Sequence, residues 1–132
     1  MVQAFPTQSR TTSSGRRGVS SFPIKTGDLL PAITATLMQQ VGTADATVID
    51  LTTATAVKFG MRNRATGATK VDAAGTIVSA VAGTVKYTWV SGDTDTAGTY
   101  DAEWQVMWPS SKPQTIPNGG YDTIVVGTGI AT

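Results

Sequence analysis

Residues Gly92 to Trp108 constrain the fold more than any other stretch, because a polar turn, Gly-Asp-Thr-Asp-Thr-Ala-Gly, runs directly into Thr-Tyr-Asp-Ala-Glu-Trp-Gln-Val-Met-Trp. In an extended backbone, successive side chains point to opposite faces. Tyr100, Ala102, Trp104, Val106 and Trp108 therefore share one side, and Asp101, Glu103, Gln105 and Met107 share the other. The alternation predicts a half-buried strand with an aromatic core face.

The same period recurs along the chain. Ile33, Ala35 and Leu37 alternate with Thr34, Thr36 and Met38 after a Gly27-Asp28 turn and Pro31. Val57, Phe59 and Met61 alternate with Lys58, Gly60 and Arg62, and Val85, Tyr87 and Trp89 alternate with Lys86, Thr88 and Val90. Ile124 and Val126 begin a last strand beyond the Asn118-Gly119-Gly120 turn. Weaker signals cover residues 48–51, 69–72 and 76–80. Seven or eight short strands at the roughly 8–12-residue turn spacing of a sandwich or barrel predict an all-β antiparallel β-sandwich. No segment has the pattern of an amphipathic helix, and only Thr94 to Ala97 reads as a helical turn. A turn there leads into Tyr100, whose hydroxyl is placed to bond back to the upstream backbone as a tyrosine corner. Phe59, Tyr87, Trp89, Tyr100, Trp104 and Val106 are the expected core.

Length and composition narrow the classes further. A chain of 132 residues suits one hydrophobic core. Charged residues are only 14%, against about 25% in an average soluble domain, which points to a subunit covered by partners. There is no cysteine and no histidine, so disulfides, zinc thiolates, thiol nucleophiles and the commonest general base are absent. No apolar run reaches the ~20 residues of a membrane helix, and the first residues lack a secretory signal, so a soluble, uncleaved chain without membrane contact is expected. Residues 1–22 carry Arg10, Arg16 and Arg17 with no acid, whereas residues 23–132 carry seven bases against nine acids. Pro6, Gly15, Gly18 and many Ser and Thr, without apolar periodicity, predict an extended basic N-terminal arm over 1–22 and a sandwich domain over 23–132.

Three segments together resemble a known family: Ile24-Lys25-Thr26-Gly27-Asp28-Leu29-Leu30-Pro31, Ala56-Val57-Lys58-Phe59-Gly60-Met61-Arg62, and Gly92-Asp93-Thr94-Asp95-Thr96-Ala97-Gly98-Thr99-Tyr100. They look like the immunoglobulin-like N-terminal domain of the baseplate upper protein family of tailed bacteriophages. The closing Pro113 to Tyr121 segment is similar to that family's last hairpin. The resemblance spans about residues 23–127 and implies an Ig-like, virion-associated module, whereas larger members continue into helical and trimerising regions. Cell-surface Ig domains are a weaker comparison, since Thr96 and Ala102 stand where those domains carry Asp and Cys.

Candidate chemistry is sparse. Asp93, Asp95 and Asp101 could begin a calcium loop, but no glutamate closes it at the required distance, and turn capping accounts for such residues. Glu103 beside Asp101 on a solvent face lacks the setting that raises a general acid's pKa. Gly15-Arg16-Arg17-Gly18 has neither the flanking elements nor the lysine of a phosphate loop, and two or three arginines give only weak, salt-sensitive nucleic-acid attachment. The expectation is a non-enzymatic structural subunit, with no cofactor, metal or specific nucleic acid, located in the virion after synthesis in the host bacterial cytoplasm. It would act on the tail, baseplate, neck or head surface through contacts with other phage structural proteins and with copies of itself, as a homo-oligomer in the particle. The alternative is an accessory host-surface or carbohydrate-binding module. The candidate inter-subunit contacts are Phe5, Arg10, Arg16, Arg17, Phe22 and Trp108.

Overall fold

The strand read from Tyr100 onward is the spine of the molecule. In the computed structural model, which describes residues 2–6, 21–39, 46–117 and 121–130, it is β9 (Gly98–Trp108) and crosses one whole sheet. One side of β9 is lined along its length by β5 (Ala56–Asn63), from Ala56 opposite Met107 to Asn63 opposite Tyr100. The other side is shared. β11 (Asp122–Gly127) pairs with the first half of β9 through Asp122 and Ala102, and β10 (Lys112–Ile116) pairs with the second half through Ile116 and Trp104. β6 (Thr69–Ala74) adds to β5, and β2 (Ser21–Lys25) adds to β11 in parallel, the only such pairing among the described residues.

The second layer is built on β3 (Ile33–Gln39), flanked by β1 (Val2–Pro6) and β8 (Thr84–Tyr87), with β7 (Thr76–Ser79) outside β8. The short β4 (Thr47–Val48) pairs with Met38 and Gln39. Because β1 also pairs with those two residues, β4 must lie on the β8 side of β3. The two sheets make an all-β sandwich, with no helix among the described residues.

Period-2 patterning explains which faces meet. Ile33, Ala35 and Leu37 from β3, Val57, Phe59 and Met61 from β5, and Tyr100, Ala102, Trp104 and Val106 from β9 are all buried. Phe59 is the hub: its ring stacks on Tyr87 at 5.0 Å, meets Trp89 edge-on at 5.8 Å and lies 4.8 Å from Trp104. Such aromatic pairs contribute about 0.5–1.5 kcal/mol each beyond their area. The six expected core residues are all in this core.

The chain changes sheets in one residue, since β6 ends at Ala74 in one layer and β7 begins at Thr76 in the other. A Cβ on Gly75 would stand 3.2 Å from the Lys86 carbonyl oxygen and 3.3 Å from the Trp104 ring, so glycine permits the close crossing. Gly83 closes the β7–β8 turn at φ +67° with the Ile49 carbonyl oxygen 2.6 Å from where a Cβ would be.

Three features differ from the sequence expectation. The boundary at 22/23 falls inside β2, whose Phe22 and Ile24 are buried while Ser21, Pro23 and Lys25 are exposed. Residues 2–6 of the expected arm form β1 on the chain's own β3, and residues 7–20 lie outside the described residues. Eleven strands are present among the described residues rather than seven or eight: β1, β2 and β10 each contain a proline, which reads as a strand breaker yet is tolerated at edges and strand ends. Thr94 to Ala97 forms turn and bend without a helix.

Candidate interaction surface

Of the six expected contact residues, Phe22 is the clearest correction. It is 1% exposed, its ring lies 6.0 Å from Trp89, and its backbone pairs with Ile124, so it anchors the chain's own core and is out of a neighbour's reach. The alternation Phe22-Pro23-Ile24 carried that signal, but Pro23 masked it. Trp108 is half-buried at the end of β9, packs on the core and donates its indole N–H to Gln114 Oε1 at 2.9 Å. Phe5 lies in β1 opposite Thr36. Arg10, Arg16 and Arg17 lie outside the described residues.

The three aspartates of the acidic segment separate into three tasks. Asp93 is buried, and its Oδ2 accepts the Val90 N–H at 2.9 Å and the Tyr87 hydroxyl at 2.6 Å, closing the turn after β8. Burial, reinforced by that bond, pushes the Tyr87 hydroxyl well above its ordinary pKa. Asp95 accepts from the Lys70 ammonium at 2.5 Å and from the Thr96 hydroxyl at 2.9 Å. The Lys70 bond lowers the Asp95 carboxyl, and the same bond raises the ammonium. Tyr100 sends its hydroxyl to the Thr96 carbonyl oxygen at 2.7 Å, the corner expected from the sequence.

Asp101 belongs to a different assembly. On the outer face of the β2-β11-β9-β5-β6 sheet, register aligns Arg62, Asp101, Thr123 and Ser21 in one row across four strands. Arg64, just past the end of β5, reaches back over that row. Its Nε donates to Asp101 Oδ1 at 2.8 Å and its Nη2 to Thr123 Oγ1 at 3.0 Å. Arg62 Nε stands 3.5 Å from Asp101 Oδ2, and its guanidinium lies 4.6 Å from the centroid of the Tyr121 ring. Two arginine stems cover the carboxylate, which explains why Asp101 is buried on a face that alternation assigns to solvent.

This arrangement fixes two guanidinium groups on a rigid sheet while about half of each side chain stays exposed, and Tyr121 remains 40% exposed. Arginine and tyrosine dominate the energetics of protein interfaces because they combine broad flat contact with directed hydrogen bonds. Holding them in place beforehand reduces the entropy lost on binding. Sequence reasoning missed Arg62, Arg64, Tyr121 and Thr123 as a group. The period of β5 puts Arg62 outward, but only cross-strand register reveals that Asp101 is its partner.

Among the described residues, Asp122 is the one that carries a buried side-chain polar atom without a hydrogen-bond partner. It sits opposite Ala102, where β9 changes partner from β10 to β11. It is 3% exposed and its Oδ2 has no hydrogen-bond partner. Burial alone raises its carboxyl to about 8.

Comparisons with family models, with curated proteins and with solved structures give no match to this chain.

Proposed function

We propose that this chain is an Ig-like structural subunit of a tailed-bacteriophage virion that works through protein–protein contacts on the tail, baseplate, neck or head surface. The Ig-like part of this reading is supported by strand order. The layers β1-β3-β8-β7 and β2-β11-β9-β5-β6 parallel the A-B-E-D and G-F-C-C′ layers of an Ig sandwich, with the tyrosine corner at the start of the penultimate long strand. The phage part is supported by the three sequence segments that resemble the baseplate upper protein module.

The observation that carries the interaction role is the Arg62–Asp101–Arg64 lock beside Tyr121. It holds interface-type side chains in place on the outer face of a sheet, which suits a neighbouring protein surface. The accessory sugar-binding alternative draws less support, because Trp89 and Trp104 are buried and Trp108 is half-covered. The test is occupancy on particles. Arg62→Ala combined with Tyr121→Ala should leave the melting temperature of the free domain within a few degrees of the parent. The amount of chain on purified virions should fall at least tenfold. Unchanged occupancy with a folded variant would overturn the assignment of this face.

A further inference from the structure

Three consecutive residues at the start of β11 point outward, inward and outward. The Tyr121 ring lies 4.6 Å from the Arg62 guanidinium on the outer face, and Thr123 Oγ1 accepts from Arg64 Nη2 at 3.0 Å on the same face. Between them Asp122 turns into the sandwich, buried and with Oδ2 unpartnered. One strand end thus joins two contacts of the arginine face to a buried carboxyl that lacks support.

The surroundings offer that carboxyl no countercharge. β9 sends Tyr100, Ala102 and Trp104 inward, and the Tyr100 hydroxyl is committed to the Thr96 carbonyl oxygen. β1 and β3 contain no ionisable residue. β2 and β10 bury Phe22, Ile24 and Ile116 and leave Lys25 and Lys112 exposed, while Tyr87 of β8 is committed to Asp93. Asp101 and Glu103, on either side of Ala102, face outward by alternation, and Arg62 and Arg64 cover Asp101 there. Ionisation in place would bury an unpaired charge, so burial raises the group to about 8.

Local opening is the cheaper way to ionise. Thr123 is paired on both sides, with Asp101 of β9 and Ser21 of β2, whereas among the described residues Asp122 pairs only with Ala102. Tyr121 precedes the strand. Releasing the single Asp122–Ala102 pairing carries the carboxylate to water and leaves the rest of the sheet in place; openings confined to a strand end cost far less than global unfolding.

We infer that Asp122 is a proton-operated catch on the arginine face: protonated, it seats the start of β11 against Ala102 and holds Tyr121 beside Arg62; ionised, it opens that end and takes Tyr121 off Arg62. The Arg64–Thr123 bond stays, because Thr123 is held from both sides. The folded chain binds this proton more tightly than an ordinary aspartate does. The catch is therefore closed at low pH and opens as pH rises through a midpoint above 3.8 and no higher than about 8. By linkage, a neighbour that grips Tyr121 in its closed position raises that midpoint. What the catch regulates rests on the proposal that this face meets a neighbouring protein; the catch itself does not.

The test is nuclear magnetic resonance of the full chain between pH 4 and 9, with the Tyr121 ring signals assigned by comparison with Tyr121→Phe. As pH rises, those signals should move at least halfway to their unfolded-chain positions, while the Tyr87 and Tyr100 signals stay fixed and report an intact core. The Asp122 carboxyl carbon should titrate with the same midpoint, and Asp122→Asn should hold Tyr121 still across the range. The parent's own carboxyl signal keeps the test open if Asp122→Asn fails to fold. A Tyr121 signal that ignores pH, follows a midpoint other than that of Asp122, or moves equally in a folded Asp122→Asn variant would overturn the inference. A Tyr121 shift that follows Asp122 supports it even where virion occupancy is the same at pH 6 and 9, a result that would count against the reading of the face alone.

Discussion

The Tyr87 hydroxyl donates to Asp93 Oδ2 at 2.6 Å, and the same oxygen accepts the Val90 N–H. One carboxylate oxygen thus joins the end of β8 to the turn that leads into β9. The two bonds differ in what their loss leaves behind. Tyr87→Phe keeps the ring stacked on Phe59 and the Val90 bond in place, so it should cost about 1.5–3 kcal/mol, the range for a hydrogen bond to a charged group. Asp93→Ala strands both the hydroxyl and the Val90 N–H and should cost more. Urea denaturation of the two variants checks the order; an Asp93→Ala variant as stable as Tyr87→Phe would show that the turn does not depend on this oxygen.

Core packing gives a sharper contrast. Trp104→Ala empties a fully buried site beside Phe59 and should cost roughly 3–5 kcal/mol, a large part of an ordinary domain's stability. Gly75→Ala pushes a methyl against the Lys86 carbonyl and the same Trp104 ring, and should cost about 1–3 kcal/mol by overpacking. Gly60→Ala meets nothing nearer than 3.9 Å and should be neutral within about 0.5 kcal/mol. Thermal melts of the three variants test the ranking. If Gly75→Ala melted with Gly60→Ala, the crossing would be looser than its geometry indicates.

Much of the fold was legible in the sequence because burial on one face of a strand imposes period 2, and β3, β5, β8, β9 and β11 carry that period openly. The corner at Tyr100 was legible because it depends on a local four-residue reach to Thr96. Pro23 hid the alternation of Phe22 and Ile24, so a core strand was assigned to the arm and Phe22 to a surface. Asp101 was assigned to solvent by the same alternation that served the core well. Its cover comes from Arg62 and Arg64, 39 and 37 positions away, and such pairing depends on register between strands, which one sequence does not display. Asp122 shares the inward face of Ile124 and Val126 by the period of β11, but that strand was read only from Ile124 onward, so the buried carboxyl was missed.

The Arg64–Asp101 pair should be modest in stability despite its good geometry. Arg64 is half-exposed, so solvent screens the attraction, and exposed pairs contribute about 0.2–1 kcal/mol. A double-mutant cycle with Arg64→Ala and Asp101→Ala should give a coupling within that range, reduced at high salt as the Debye length shortens. A coupling well above 2 kcal/mol, or one indifferent to salt, would mean that the lock is a determinant of folding rather than a presented surface.

Asp122 predicts how stability depends on pH. Burial raises its folded-state carboxyl to about 8 from an ordinary 3.8, so between those values the folded chain keeps a proton that the unfolded chain has released. The contribution is fully present below about pH 4, declines as pH rises through the window and is lost above about pH 8, with a limiting slope near 1.4 kcal/mol per pH unit. Asp122→Asn keeps the shape and cannot ionise. The variant should therefore be more stable than the parent at pH 9, and its advantage should shrink steadily toward pH 5. Other titrating groups are common to both proteins and cancel in the difference. Urea midpoints at pH 5, 7 and 9 provide the measurement, and a difference between parent and variant that stays constant across that range would show that the carboxyl is not held in its neutral form.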